Sequence, residues 1–126
     1  MGRALKDGQI HHRTRTMYDD IAIQWAAIEI LKEDEGKREF TIKSDVWSFG
    51  ITMWEIFTHC QIEPYEEIGD NQILYPYLNR GNRLKKGNIN DKVFELMMKC
   101  WEKVPSKRPT FSELYEELIK LCPYSN

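Results

Sequence analysis

Apolar positions along the chain fall into helical spacings separated by short polar turns. The longest run is "KSDVWSFGITMWEIFT" (Lys43 to Thr58). Projected at 100° per residue, Val46, Trp47, Phe49, Gly50, Ile51, Met53, Trp54, Ile56 and Phe57 cover an arc of roughly 220°, against roughly 100° for the stripe of an ordinary surface helix. Ser48, Thr52 and Glu55 occupy the remaining side. The run is too short to cross a bilayer, which takes about 20 apolar residues. It predicts a helix ending near Thr58 and buried nearly all round, with other helices packed about it. Ser44 is placed to cap that helix, and Asp45 in its first turn suits the positive end of the helix dipole.

The other elements are shorter. "WAAIEIL" (Trp25 to Leu31) reads as a short helical turn, and "KEDEGKRE" (Lys32 to Glu39) as a charged surface excursion with Gly36 at its tip. "CQIEPYEEIGD" is a loop in which Pro64 stops any helix. Ile73, Leu74, Tyr77 and Leu78 then recur at helical spacing, with Gly81 as a stop. Pro76 falls inside this pattern and should kink or shorten the helix, at about 3 kcal/mol if unrelieved. Asn90 caps an amphipathic stretch faced by Val93, Leu96, Met97, Cys100 and Trp101. Pro105 and Pro109 bracket a basic turn. Thr110 and Glu113 form a capping box for a last helix faced by Phe111, Leu114, Tyr115, Leu118 and Ile119. Residues 1–24 lack periodicity and read as loop. With no strand pattern and no internal repeat, the fold class is mainly α.

Composition narrows the class. The 126 residues suffice for one domain with a real core, and 41% hydrophobic with 30% charged residues is ordinary for a globular protein. A formal net charge of −2 argues against a nucleic-acid partner, which calls for a basic face. Cys60, Cys100 and Cys122 lie in or beside apolar patterns without CxxC pairing, and are expected as buried thiols in a reducing compartment. "MGRALK" has Lys6 where a myristoylation signal has Ser or Thr, and no signal peptide or transmembrane run is visible, so no membrane contact is expected. His11, His12 and His59 with Cys60 lack metal-ligand spacing, so no metal site is expected.

Four blocks, in order, carry a resemblance. "SDVWSFG" within the long helix, "CWEKVPSKRPTFSEL" (Cys100 to Leu114), "WAAIE" (Trp25 to Glu29) and "EPYEEIGDNQIL" resemble the large lobe of protein tyrosine kinases. The first is similar to the signature of that lobe's central helix, and the second to the CW…P…RPTF block near the domain's end. The third is similar to WMAPE, whose Trp favours tyrosine over serine/threonine kinases. The chain thus resembles the C-terminal part of the large lobe, from activation segment to final helix. Residues 1–24 correspond to the activation-loop segment and 25–126 to the helical subdomain. Gly2 falls on the Gly of DFG, with Met1 in the Phe position.

The resemblance implies roles residue by residue. Asp45 would hydrogen-bond the backbone of the catalytic loop, where the plain alternative is a first-turn dipole role alone. Glu29 and Arg108 resemble the ion pair that ties the activation segment to the last helices, against two solvated charges. An Arg suits a bidentate, partly buried contact. Trp47 and Trp101 belong to the structural blocks. Ile21, Ala22, Ile23, Gln24 and Trp25 occupy the loop that docks the substrate peptide. There Ala22 and Gln24 replace the usual Pro and basic residue, and Ile28 replaces the Pro of APE. Tyr18 is a candidate phosphosite in the activation loop, or simply an exposed tyrosine.

Phosphoryl transfer needs a Gly-rich loop over the phosphates, a Lys paired with a helix Glu, an HRD Asp, and an Asn and an Asp on magnesium. The sequence contains no GxGxxG and no HRD. No catalytic residue is therefore assigned in this chain, which should have no kinase activity alone. ATP and Mg are expected only in an intact parent, with the N-lobe and catalytic loop as partners and protein or peptide as substrate. The compartment implied is the cytoplasm, or the cytoplasmic side of a membrane receptor. From a different class, the chain reads as a short non-catalytic interaction module. An unrelated helical bundle would explain the helices but not the four ordered blocks.

Overall fold

In the computed structural model, residues 22–33 and 37–122 are described. They form five α-helices, α1 (Ile28–Lys32), α2 (Ile42–Phe57), α3 (Asn71–Asn79), α4 (Asp91–Cys100) and α5 (Phe111–Leu121), with 3-10 turns at Ile23–Trp25 and Pro105–Lys107. No strand occurs among the described residues, and none of their helices is long and apolar enough to cross a membrane. Helix α2 packs chiefly on α4, α1 on α3, and α4 on α5.

The long helix starts earlier than its sequence suggests. Its N-cap is Thr41, whose hydroxyl accepts from the Ser44 backbone N–H, while the Thr41 N–H donates to Ser44 Oγ. Ser44 is thus the reciprocal member of a capping box, not the cap, because a Ser three residues on can play the part usually given to Glu. At the other end the N–H of Cys60 reaches the Glu55 carbonyl and that of His59 the Ile56 carbonyl. This double closure normally places Gly in the left-handed position, yet here His59 and Cys60 take φ of 60° and 55°.

Burial of α2 is one-sided, which corrects the expectation of burial nearly all round. Val46, Trp47, Gly50, Ile51, Met53 and Trp54 are buried, whereas Ile42 is 68% and Ile56 60% exposed. Phe49 is half-buried, against Phe111 of α5 at 5.6 Å between ring centroids. Phe111 is the ring that meets this flank, and Ile42 and Ile56 are left to solvent. At roughly 1.5–3 kcal/mol per fully buried large side chain, the covered side holds the fold together.

Other expectations are also adjusted. Trp25 closes the 3-10 turn, and α1 begins only at Ile28 because Ala26 and Ala27 are extended. Helix α3, capped by Asp70, continues through Pro76 to Asn79, burying Leu74 and Leu78 but leaving Ile73 exposed. In α5 only Leu114 is buried; Phe111, Tyr115 and Ile119 are exposed. Of the cysteines, Cys100 is buried while Cys60 and Cys122 are exposed. Cys60 lies past the end of α2 and Cys122 past that of α5. Gly36, His11 and His12 lie outside the described residues.

Candidate functional site

Two loops and two helices meet at Arg108. This residue follows the turn at Pro105–Lys107, and its side chain is fully enclosed. Its Nη2 donates to Glu29 Oε1 at 2.6 Å and its Nη1 to Glu29 Oε2 at 2.8 Å, a bidentate pair joining positions 79 apart in the chain. Nε donates to the Glu102 carbonyl and Nη1 also to the Lys43 carbonyl. Lys43 in turn donates its ammonium to the Arg108 carbonyl. Every edge of the planar fork therefore has an acceptor, as burial of a cation requires.

The Trp47 ring lies beneath two cations, Arg108 at 5.0 Å and Arg83 at 5.1 Å from its centroid. Arg83 donates Nε to the Trp101 carbonyl and Nη1 to the carbonyls of Leu78 and Asn82. Burial pushes Arg83 below its ordinary pKa, and the nearby Arg108 adds to that shift. Trp101 presses its indole edge on Gly50, where an added Cβ would lie 2.7 Å from Trp101 Nε1 and 2.8 Å from Cys100 Cβ. The backbone needs a glycine there for close approach, not for its dihedral freedom. The indole N–H groups of Trp47 and Trp101 are buried without an acceptor among the described residues. Burial also pushes the Cys100 thiol up to about 12.

The segment 22–26 is held on the polar flank of α2. Trp25 Nε1 donates to Glu55 Oε1 at 2.8 Å, and Ser48 Oγ donates to the Trp25 carbonyl at 2.7 Å. Glu55 and Ser48 were legible only as the polar side of an apolar helix. Their bonds to the Trp25 segment had no sequence signal beyond a spacing of seven, which puts them on one face two turns apart. Arg83 and Lys43 also gave no signal, since neither belongs to an apolar pattern.

Asp45 stands apart from this frame. It is exposed on the first turn of α2, and its carboxylate has no hydrogen bond or ion pair among the described residues. Loss of hydration beside the protein surface raises its pKa from the ordinary aspartate value. It shares the uncovered stripe with Ile42, Phe49, Thr52 and Ile56, at spacings of three and four. Of the residues expected to form a docking loop, Ala22 to Trp25 are placed as above, with Ile23, Gln24 and Trp25 half-buried. Ile21 and Tyr18 lie outside the described residues. No group of three His, Cys, Asp or Glu suited to a metal occurs among the described residues.

Comparison with known proteins places the sequence in a family. A sequence profile of the family described as protein tyrosine and serine/threonine kinase matches residues 2–118. The tyrosine-protein kinase transforming protein RYK of avian retrovirus RPL30 is 46% identical over 100 residues, 79% of this chain and 21% of that protein. The fibroblast growth factor receptor of Hydra vulgaris is 41% identical over 102 residues, 80% of this chain and 12% of the receptor. The tyrosine-protein kinase Mer of Mus musculus is 44% identical over 100 residues, 79% of this chain and 10% of Mer. The chain thus spans about a fifth or less of these relatives.

Proposed function

We propose a role for this segment on one premise: the chain belongs to the protein tyrosine and serine/threonine kinase family, as part of a tyrosine kinase domain with the helical C-lobe portion of that fold. In an intact parent the activity is ATP-dependent phosphorylation of protein tyrosines. This segment supplies the helical core, with residues 1–24 as activation loop and 25–126 as C-lobe subdomain. Ile21 to Trp25 form the peptide platform, and Tyr18 is the loop's phosphosite. The parent works in the cytoplasm or on the cytoplasmic side of a receptor.

ATP and Mg do not fit the residues of this chain, which has neither GxGxxG nor HRD. When bound in the parent, they supply the transferred phosphoryl group and neutralise its charge. What these residues contribute is positioning. Bidentate pairing with Arg108 anchors Glu29, and the Trp25–Glu55 and Ser48–Trp25 bonds hold the platform against α2. A bound peptide thereby meets a surface set by a helix rather than by a free loop.

The observation that carries the reading is Asp45, a carboxylate without a partner among the described residues, on a largely exposed stripe of α2 that also carries Ile42, Phe49 and Ile56. A stripe of that kind suits a polypeptide whose apolar side chains cover Ile42, Phe49 and Ile56 while its backbone N–H groups meet Asp45. We assign that covering to the parent's catalytic loop and its neighbouring elements. Because the sequence contains no catalytic residue, a second reading is a non-catalytic interaction module that offers the same stripe to a separate protein. An antibody to the C-terminal "YSN", used to weigh the polypeptide in its native cells, decides between them. A product tens of kilodaltons heavier than 15.0 kDa supports the parent kinase, and a 15.0 kDa product the module.

A further inference from the structure

Beyond Arg83 of the Arg108 frame, a cavity of about 260 Å³ opens between the last turn of α2, the loop at 62–67, α3 and the stretch 83–85. Its floor is apolar and aromatic, from Trp54, Tyr77 and Leu84. Pro64 and Tyr65 turn inward and are buried, with Tyr65 held at φ 50°, so the flanking Glu63, Glu66 and Glu67 stand exposed around the opening. None of these three carboxylates has an ion pair or hydrogen bond among the described residues. Tyr65 also lines the cavity, and its hydroxyl is buried without a partner. Burial pushes that phenol up, so it remains neutral. Two cations share the lining. Arg83 is committed to the carbonyls of Trp101, Leu78 and Asn82, which leaves Lys85 against three glutamates in the lining's charge balance.

We propose that this cavity docks a single arginine or lysine side chain from a basic peptide of a protein partner. The aliphatic stem lies along Leu84 and the aromatic faces, the cationic head meets the glutamates, and the Tyr65 oxygen accepts one of its N–H groups. The net negative lining selects the charge, and the aromatic and aliphatic lining suits the methylene stem of a long, unbranched side chain. The site takes no part in phosphoryl transfer, so its failure leaves the kinase reading intact.

The test is fluorescence anisotropy on the native polypeptide that carries residues 1–126. The probe is labelled acetyl-Ala-Ala-Arg-Ala-Ala-amide, set against the same peptide with citrulline or Glu in place of Arg. Saturable binding of the Arg peptide is expected, with the citrulline peptide at least tenfold weaker and the Glu peptide weaker still. The Glu63→Gln, Glu66→Gln, Glu67→Gln triple variant should lose at least tenfold for Arg and nothing for citrulline. Tyr65→Phe should weaken the Arg peptide severalfold while its melting temperature stays level or rises. Equal binding of Arg and citrulline, an undiminished triple variant, or no saturation by about 1 mM peptide overturns the proposal.

Discussion

Two sides of α2 carry large apolar residues and meet different surroundings. One side buries Val46, Trp47, Ile51 and Trp54 under α4 and the Arg108 frame, where each charge has a partner. The other carries Ile42 and Ile56 to the surface, leaves Phe49 half-buried and leaves Asp45 unpaired among the described residues. Helix α5 meets that second side through Phe111, which packs on Phe49, and itself exposes Phe111 and Tyr115. Contiguous apolar surface of this kind marks a contact face, since isolated apolar residues are common on proteins but stripes are not. Apolarity in a sequence therefore says that a neighbour is required, while only the fold says which neighbour the chain itself provides.

The sharpest break in the covered side is Arg108→Ala. It leaves the Glu29 carboxylate, half the Trp47 face and the Lys43 and Glu102 carbonyls without their donor, and should cost about 3–5 kcal/mol in denaturant unfolding followed by Trp fluorescence. Gly50→Ala comes next. The new methyl meets Trp101 and Cys100 inside normal contact distance, and overpacking of this kind costs about 1–3 kcal/mol. On the uncovered side, Ile56→Ser separates the two settings. In the 126-residue chain alone it should change stability by less than about 0.5 kcal/mol, whereas in a parent kinase domain that covers the stripe it should cost about 2 kcal/mol or more. His59→Gly, which relieves a left-handed non-glycine residue at the helix end, should stabilise by about 0.5–1 kcal/mol.

Chemistry sharpens the contrast further. The Cys100 thiol sits above its unfolded value, so native protein retains its proton longer than unfolded chain. That contribution is fully present below the unfolded thiol's pKa of about 8.5 and is lost as pH rises toward 12, the folded value. At pH 8, iodoacetamide should label Cys60 readily and Cys100 only after unfolding, as peptide mass mapping would record.

Much of the fold was legible because its signals are local. The Thr110–Glu113 capping box and the Asn90 cap occur where their spacing indicated, with Glu113 accepting from the Thr110 N–H and Asn90 from Lys92 and Val93. Thr41 escaped notice because its partner is Ser44 rather than Glu. The turn around His59, Cys60 and Tyr65 has left-handed backbone without glycine, so no residue type announced it. Pairs distant in the chain were a different matter. Nothing local connects Glu29 with Arg108 across 79 positions, and only the family resemblance put them together. The Arg83 stacking on Trp47 and the bonds from Ser48 and Glu55 to the Trp25 segment had neither signal, since each depends on how helices pack.

The most direct test is sedimentation of the isolated 126-residue chain with an added apolar dye. With the stripe on α2 and α5 uncovered, it should self-associate and bind the dye strongly, and a shared Ile42→Ser, Ile56→Ser and Tyr115→Ser substitution should reduce both. A monodisperse monomer that melts cooperatively and ignores the dye would contradict the view that this face is built to be covered.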